Sequence, residues 1–345
     1  MQALYASSWR VGILSVVLAV LLSPVRSHGQ TAAPDEAKAK TEGAVVYYTA
    51  NRTQIAEKHA KEFEKKYGIK VQVFRSGSEK VMAKLESEMQ AGRVQADIVN
   101  VSDPGYYFSL QARGALLPYL SKNAATIPEA FKDKDGQWIA SRLTAMVIAH
   151  NTKLLPTDQA PKRWIELTDP KWHGKVTIGS PSYGGTSLNW AAGILKLYGW
   201  KFFEDFAKNK PLMTEGHQPG VQLVASGERP ISGEMNDYDA RAGIVKGQPL
   251  AIIIPQEGVF VIPTPIAILK ATARPNAAKL FVDYILSMEG QGIFAEDQTL
   301  PARTDVAPPK GAVALKDLKV VPMDWQAVEK QSEEIKTKFS SIMGK

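Results

Sequence analysis

The chain has 345 residues, 44% of them hydrophobic and 22% charged, which is the balance of a globular protein long enough for two lobes and excludes global disorder. The formal net charge of +7 is spread along the chain; it can steer an anionic ligand but makes no clustered stripe of the kind nucleic acid requires. There are no cysteines, so a thiol nucleophile, a thiolate metal site, a disulfide and a lipid-modified N-terminal Cys are all excluded.

At the N-terminus, Arg10 precedes an apolar run over residues 11–23, followed by the small residues of PVRSHGQTAAP. That run has the length of a signal-peptide core and is short for a membrane span, so residues 1–29 are predicted to be a cleaved signal peptide and the mature protein to be periplasmic. A retained anchor helix is the alternative. Residues 30–42 (QTAAPDEAKAKTE) read as a polar, Ala-rich linker. AVVYYTA from position 44 predicts a buried strand. Ile55, Ala56, Ala60, Phe63 and Tyr67 then recur at helical spacing, and Gly68 stops that helix. IKVQVF is a second strand, Val81, Leu85 and Met89 mark a second helix, and QADIVNV is a third strand.

This β-α-β-α-β opening with short loops predicts a mostly parallel, doubly wound sheet. A strand over residues 144–151 leads to a middle region with its own strands (KVTIGS, RPISGEM) and helices. Long apolar strands near Leu250 and Ile266 follow, then a helix over 276–288. Trp325, Val328, Ile335, Phe339 and Ile342 sit at helical intervals near the C-terminus. The fold class is therefore α/β, with lobe 1 from residues 43–144 and 260–310, lobe 2 from 145–259 and a C-terminal helical segment over 311–345. The two crossings, near 145–151 and 252–261, make the hinge.

In open α/β sheets ligands bind beyond the carboxyl ends of strands, and three such loops stand out. In RSGSEK, the residues Ser76, Gly77 and Ser78 open a helix, whose free N–H groups favour an anion; plain capping and a turn explain the same residues. In GSPSYGGTSLNW, the loop bearing Ser182, Tyr183, Gly185 and Thr186 offers hydroxyls and close backbone amides between a strand and a helix. In GEMNDYDARAG, Asp237, Tyr238 and Asp239 suit a hard cation or a ligand's hydroxyls, with a solvated N-cap as the alternative. His59 and His173 stand alone and read as structural, while His150 ends a strand at the hinge. Nucleophile-elbow, zinc-protease, P-loop and dinucleotide motifs are all missing, so no enzyme is predicted.

The stretches SGSEKVMAKLESEMQAGRVQADIV, AMVIAHNTKLLP, LTDPKWHGKVTI and PIAILKATARPNAAKLFVDYILSMEGQ give the chain a resemblance to extracellular solute-binding proteins of ABC importers. The branch it resembles includes ferric-iron, phosphonate, sugar-phosphate and polyamine binders. The resemblance implies a two-lobed hinge fold and one ligand held in the cleft with no chemistry done on it. It also implies delivery of that ligand to the membrane subunits of a permease; a monomer is the default expectation. Ferric binders of this branch often place an adjacent Tyr pair after an Asn; here the stretch is Asn236-Asp237-Tyr238, and the first loop carries Asn51 and Arg52 where a His or Tyr is common. Two ligand readings follow. In the favoured one, a small anion such as a phosphonate, sugar phosphate or organic acid lies on two helix N-termini. Asn51, Arg52, Ser76, Gly77, Ser78, Ser182, Tyr183, Gly185 and Thr186 hold it, while Asp237, Tyr238 and Glu257 read the rest of the molecule. In the other, Fe³⁺ is the ligand, bound by Tyr183, Asp237 and Tyr238 and completed by an anion. No cofactor is expected. An exported enzyme acting on a small phosphorylated substrate and a carrier that serves a sensor are the remaining alternatives.

Overall fold

The structure, a computed structural model, describes residues 33–344; the predicted signal peptide lies outside them. In chain order the elements are α1 (Glu36–Glu42), β1 (Ala44–Thr49), α2 (Thr53–Tyr67), β2 (Lys70–Arg75), α3 (Ser78–Gln90), β3 (Ile98–Asn100), α4 (Pro104–Ala112) and β4 (Leu116–Leu117). Next come β5 (Ile139–Asn151), β6 (Val176–Gly179), α5 (Gly185–Tyr198), α6 (Trp200–Ala207), β7 (Leu212–Thr214), α7 (His217–Ser226), β8 (Ile231–Asn236) and α8 (Asp237–Val245). The chain closes with β9 (Leu250–Ile253), β10 (Val261–Leu269), α9 (Pro275–Ile285), α10 (Met288–Glu296), β11 (Leu300–Pro301) and α11 (Trp325–Met343). Among the described residues no helix is long and apolar enough to cross a membrane.

The strands run β2-β1-β3-β10-β5-β8-β6-β7, with β4 and β11 added in the first half and β9 in the second. Within lobe 1, β1 is parallel to β2 and β3; within lobe 2, β6 is parallel to β7 and β8. The thirteen-residue strand β5 joins them, pairing antiparallel with β10 up to Ala145 and with β8 from Met146. β1, parallel to both its neighbours, and β5 and β10, antiparallel to theirs at the centre of the sheet, read as apolar runs because both faces of the sheet are covered there. One apolar core lies between the sheet and α2, α9 and α10, and continues through the hinge to Val221, Met235 and Ala240 of lobe 2. A second fills the other face of lobe 2 around Trp164, Trp190 and Phe203, and takes in Trp325 and Phe339 of α11. A third backs lobe 1 with α3 and α4.

Two stretches differ from the sequence expectation. Residues 36–42 of the expected linker form helix α1, capped by Asp35 and closed by Gly43 in a left-handed conformation (φ 76°). Glu42 at its end accepts hydrogen bonds from the backbone N–H groups of Asn276 and Ala277, at the positive N-terminus of α9. In the C-terminal segment the helix begins only at Trp325.

His59 shows how one buried group ties this packing to pH. Its Nε2 donates to the Gly290 carbonyl at 2.9 Å, and its ring lies 4.7 Å from that of Phe294. Burial holds its pKa down to about 4. With the folded value below the unfolded one, its contribution to stability is complete above about pH 6.5 and is lost as pH falls toward 4. The folded protein is expected to lose about 2 kcal/mol between pH 7 and pH 5 from this residue. Urea unfolding at the two pH values should show that loss in the wild type, and His59→Leu should remove it.

Candidate functional site

The loops that follow β1, β3, β6 and β8 converge where the two lobes meet, and Arg142 lies at their centre. It sits in the interior of β5, 3% exposed, three residues before that strand passes from one lobe to the other. Its Nε donates to Asn51 Oδ1 at 2.6 Å, one terminal nitrogen to Thr144 Oγ1 at 2.8 Å and the other to Ser102 Oγ at 3.1 Å. All three acceptors are neutral. Among the described residues Arg142 makes no salt bridge; the nearby carboxylate whose charge it feels, Asp297, is already paired with Arg52. A buried charge of this kind costs several kcal/mol unless an opposite charge comes to it.

The residues behind Arg142 fix its position. Asn51 donates to Tyr47 Oη at 3.0 Å and to Asn100 Oδ1 at 2.7 Å, which leaves its own Oδ1 for the guanidinium. Asn100 in turn donates to the Pro265 carbonyl of β10 at 2.7 Å. Ser102 Oγ also meets Thr264 Oγ1 at 2.9 Å. Every member of this network is buried, so the guanidinium has little freedom to turn away.

Arg52 differs in its electrostatics. It pairs with Asp297 of its own lobe and lies 3.8 Å from Asp239 of lobe 2, so its charge is already compensated. Its role in this arrangement is to join the lobes. The Tyr238 ring lies beside both arginines, with guanidinium carbons 4.8 Å (Arg52) and 5.2 Å (Arg142) from its centroid. Tyr238 Oη accepts from Asn236 Nδ2 at 3.0 Å, and burial, reinforced by Asp239, pushes its phenol up to about 12.

The other predicted residues divide between the junction and the periphery. Gly185, the first residue of α5, abuts lobe 1: a Cβ there would stand 2.4 Å from the Ser102 carbonyl oxygen. Only glycine permits that approach. Thr186 is buried in the same helical turn. Ser78 opens α3, and its Oγ accepts from the Ser102 N–H at 3.3 Å, which ties two loops of lobe 1 together. Ser76 donates its N–H to the Thr49 carbonyl at 3.2 Å. Gly77 is exposed, and nothing stands within 4 Å of a Cβ built on it. Ser182 and Tyr183 are exposed on the lobe 2 rim, Tyr183 with its hydroxyl engaged by Glu215. The loop that carries them is anchored by Glu234, which accepts from Gly179 N, Ser187 Oγ and His217 Nε2 at 2.7, 3.0 and 2.5 Å.

Two of the expected ligand residues have other partners in this structure. Glu257 bonds the Tyr198 hydroxyl and pairs with Arg163 at 3.3 Å. Tyr198 ends α5, roughly 20 Å along the helix from Gly185, so Glu257 shapes the connection from β9 to β10 instead of the cleft. Asp237 has both oxygens occupied, one accepting from Ala145 N at 3.1 Å and the other paired with Arg241 at 2.5 Å. It braces the crossing strand β5. The ferric set of Tyr183, Asp237 and Tyr238 is therefore not assembled in this arrangement. Among the described residues no group of three or more His, Asp or Glu is placed to hold a metal ion.

Arg142, Ser102 and Thr264 escaped the sequence reading. The one available signal was composition: in IASRLTAMVIAHN a lone Arg with Ser and Thr interrupts an apolar strand, and such residues are rarely buried without a partner or a task.

At the cleft mouth a pocket of about 280 Å³ opens between Arg52, Gln54 and Arg75 of lobe 1 and Gln218, Asp239 and Lys246 of lobe 2. Cations and amides dominate its wall, which suits a polar ligand of negative charge.

Comparison with known proteins agrees with this architecture. Residues 94–331 match the family model described as bacterial extracellular solute-binding protein. The chain is 25% identical over 283 residues to a probable ABC transporter periplasmic-binding protein of Sinorhizobium fredii, covering 76% of each chain. Among solved structures it is similar to the periplasmic binding protein AfuA of Actinobacillus pleuropneumoniae with fructose-6-phosphate bound. That match has 26% identity and a TM-score of 0.79 over 87% of this chain and 98% of the other. Iron-bound HitA of Pseudomonas aeruginosa shares the two-lobed fold at 21% identity, with a TM-score of 0.77 over 86% of this chain and 99% of the other. The chain belongs to the bacterial extracellular solute-binding protein family, whose members serve ABC importers as periplasmic capture proteins.

Proposed function

We propose that this protein captures a small solute bearing a phosphate ester, phosphonate or carboxylate, and that the anionic group docks on Arg142. The observation that carries the reading is the buried guanidinium held by three neutral oxygens, beside an arginine already matched by carboxylates. An anion at Arg142 supplies the missing countercharge in a water-poor site, where such a pair is strongest. The N-terminus of α5, whose first turn carries no acidic residue, meets lobe 1 beside Ser102, and its dipole favours the same charge. Ligand contacts drawn from both lobes exist only when the cleft is shut, so binding selects the closed state that a permease then receives. The likeness to AfuA makes sugar phosphates the first class to test.

Ferric iron is the second reading, favoured by the likeness to iron-bound HitA and by Tyr238 in the cleft. Against it stand a phenol pushed up to about 12, two neighbouring guanidiniums and the commitment of Asp237 to Arg241. A thermal-shift panel on chelator-treated protein separates the two. Hexose phosphates and phosphonates are expected to raise the melting temperature, since a ligand at 100 times its dissociation constant adds about 2.7 kcal/mol; the parent sugars are expected to leave it unchanged. A response confined to ferric citrate, with a visible tyrosinate band, would replace the anion reading with the ferric one.

A further inference from the structure

Helix α11 is rooted in lobe 2 but faces lobe 1 along one edge. Its apolar residues belong to the lobe 2 core, and the Phe339 ring meets that of Phe203 edge-on at 5.1 Å. The adjoining edge carries Glu329 and Lys336. Glu329 Oε2 lies 2.9 Å from the point where a Cβ on Gly105 would stand, and Asp103 Oδ1 lies 3.3 Å from that same point. Lys336 reaches Glu79 of α3 at 3.3 Å and Glu333 of its own helix at 3.2 Å. On the other side, Gly185 of lobe 2 is packed so tightly that a Cβ there would lie 3.2 Å from Asp103 Cβ. Asp103, which caps α4 in lobe 1, is thus 5% exposed and enclosed from two sides by lobe 2.

The charges around it are unbalanced. Glu79 faces it from α3, and Glu329 and Lys336 from α11. Glu333 stands behind Lys336, and Arg113, at the far end of α4, is taken by Glu86. The first turn of α5 carries no acidic residue, and its sole basic residue, Lys196, lies in the last turn. Asp103, Glu79 and Glu329 therefore share one lysine that Glu333 also claims.

We propose that this seam is a pH-sensitive latch on lobe closure: shutting the cleft carries Asp103 from water to the side of Glu329, so the closed form takes up a proton and opening releases it. Burial first, then Glu329 and Glu79, pushes the Asp103 carboxyl up to about 7 in the closed arrangement, whereas a solvated Asp titrates near about 4. A group raised in the closed form favours closure fully below its open-form value and loses that advantage as pH rises through the closed-form value. Acid closes the lobes and mild base opens them, whichever anion the cleft takes.

The absence of cysteine makes the test direct. Nitroxides on Lys61→Cys of α2 and Glu204→Cys of α6, both exposed positions, report the interlobe distance by pulsed electron spin resonance on the unliganded protein. Between pH 5 and pH 8 the closed-to-open ratio is expected to fall at least tenfold. In Asp103→Asn, which keeps the capping acceptor and resembles the protonated acid, the ratio is expected to stay at its acid value throughout. Glu329→Gln is expected to shrink the shift. A distance distribution that does not change with pH, or a shift of full size in Asp103→Asn, would overturn the proposal.

Discussion

Arg142→Met is expected to lower affinity for a hexose phosphate roughly 100-fold or more while shifting the melting temperature of the unliganded protein by only a few degrees. The two effects separate because they have different origins. In the unliganded protein the substitution removes a buried, unpaired charge, a gain of several kcal/mol. It also strands the Asn51 and Thr144 oxygens that the guanidinium satisfied, at about 1–3 kcal/mol each. Those terms nearly cancel. In the liganded protein nothing offsets the loss, because the anion is then the buried group without a partner. If Arg142 instead serves only to hold the lobe 1 loops together, Met will unfold the protein more readily and ligand affinity will follow stability. Calorimetric titration and thermal unfolding of the same variant distinguish the cases.

Gly185→Ala is expected to weaken ligand binding roughly 10- to 100-fold without loss of folding stability. The added methyl stands 2.4 Å from the Ser102 carbonyl oxygen and 3.2 Å from Asp103 Cβ, both in the opposite lobe. A backbone carbonyl cannot rotate aside, so relief comes only from separating the lobes. The cost falls on the closed state alone. Gly184→Ala makes the matched control: its Cβ meets nothing nearer than Ser187 Oγ at 3.8 Å, and its φ of −137° suits any residue. Small-angle scattering at a ligand concentration just sufficient to close the wild type should show the Gly184 variant compacting like the wild type and the Gly185 variant remaining largely extended. Equal affinity in the two variants would mean that the lobes close at some other point.

Much of the fold was legible because it rests on local patterns. Val45, Tyr47, Ile98, Val99, Ile266 and Ile268 lie in strands covered on both faces, and Ile55, Ala56, Ala60 and Phe63 mark the buried face of an amphipathic helix. Helix α1 was missed because its support comes from far along the chain, through Glu42 at the N-terminus of α9. The site was less legible for the same reason. Gly185, Asn51, Arg52 and Tyr238 were placed by their loops, yet their tasks depend on partners that sequence does not reveal. Asn51 holds an arginine 91 positions away, and Arg52 is spent on Asp297 and Asp239. Arg142 gave only a faint signal, since an arginine inside a strand usually turns toward water, and only the covering of both faces traps this one. Glu257 meets Tyr198 because the connection after β9 runs to the far end of α5, a long-range placement that its position in the sequence does not reveal.

Titration calorimetry of the chelator-treated wild-type protein with a hexose 6-phosphate tests the central claim most directly. One equivalent is expected to bind at micromolar concentrations, and the parent hexose is expected to give no heat. Binding of the hexose and its phosphate with equal affinity, or no binding of any phosphate ester at millimolar concentration, would contradict that claim.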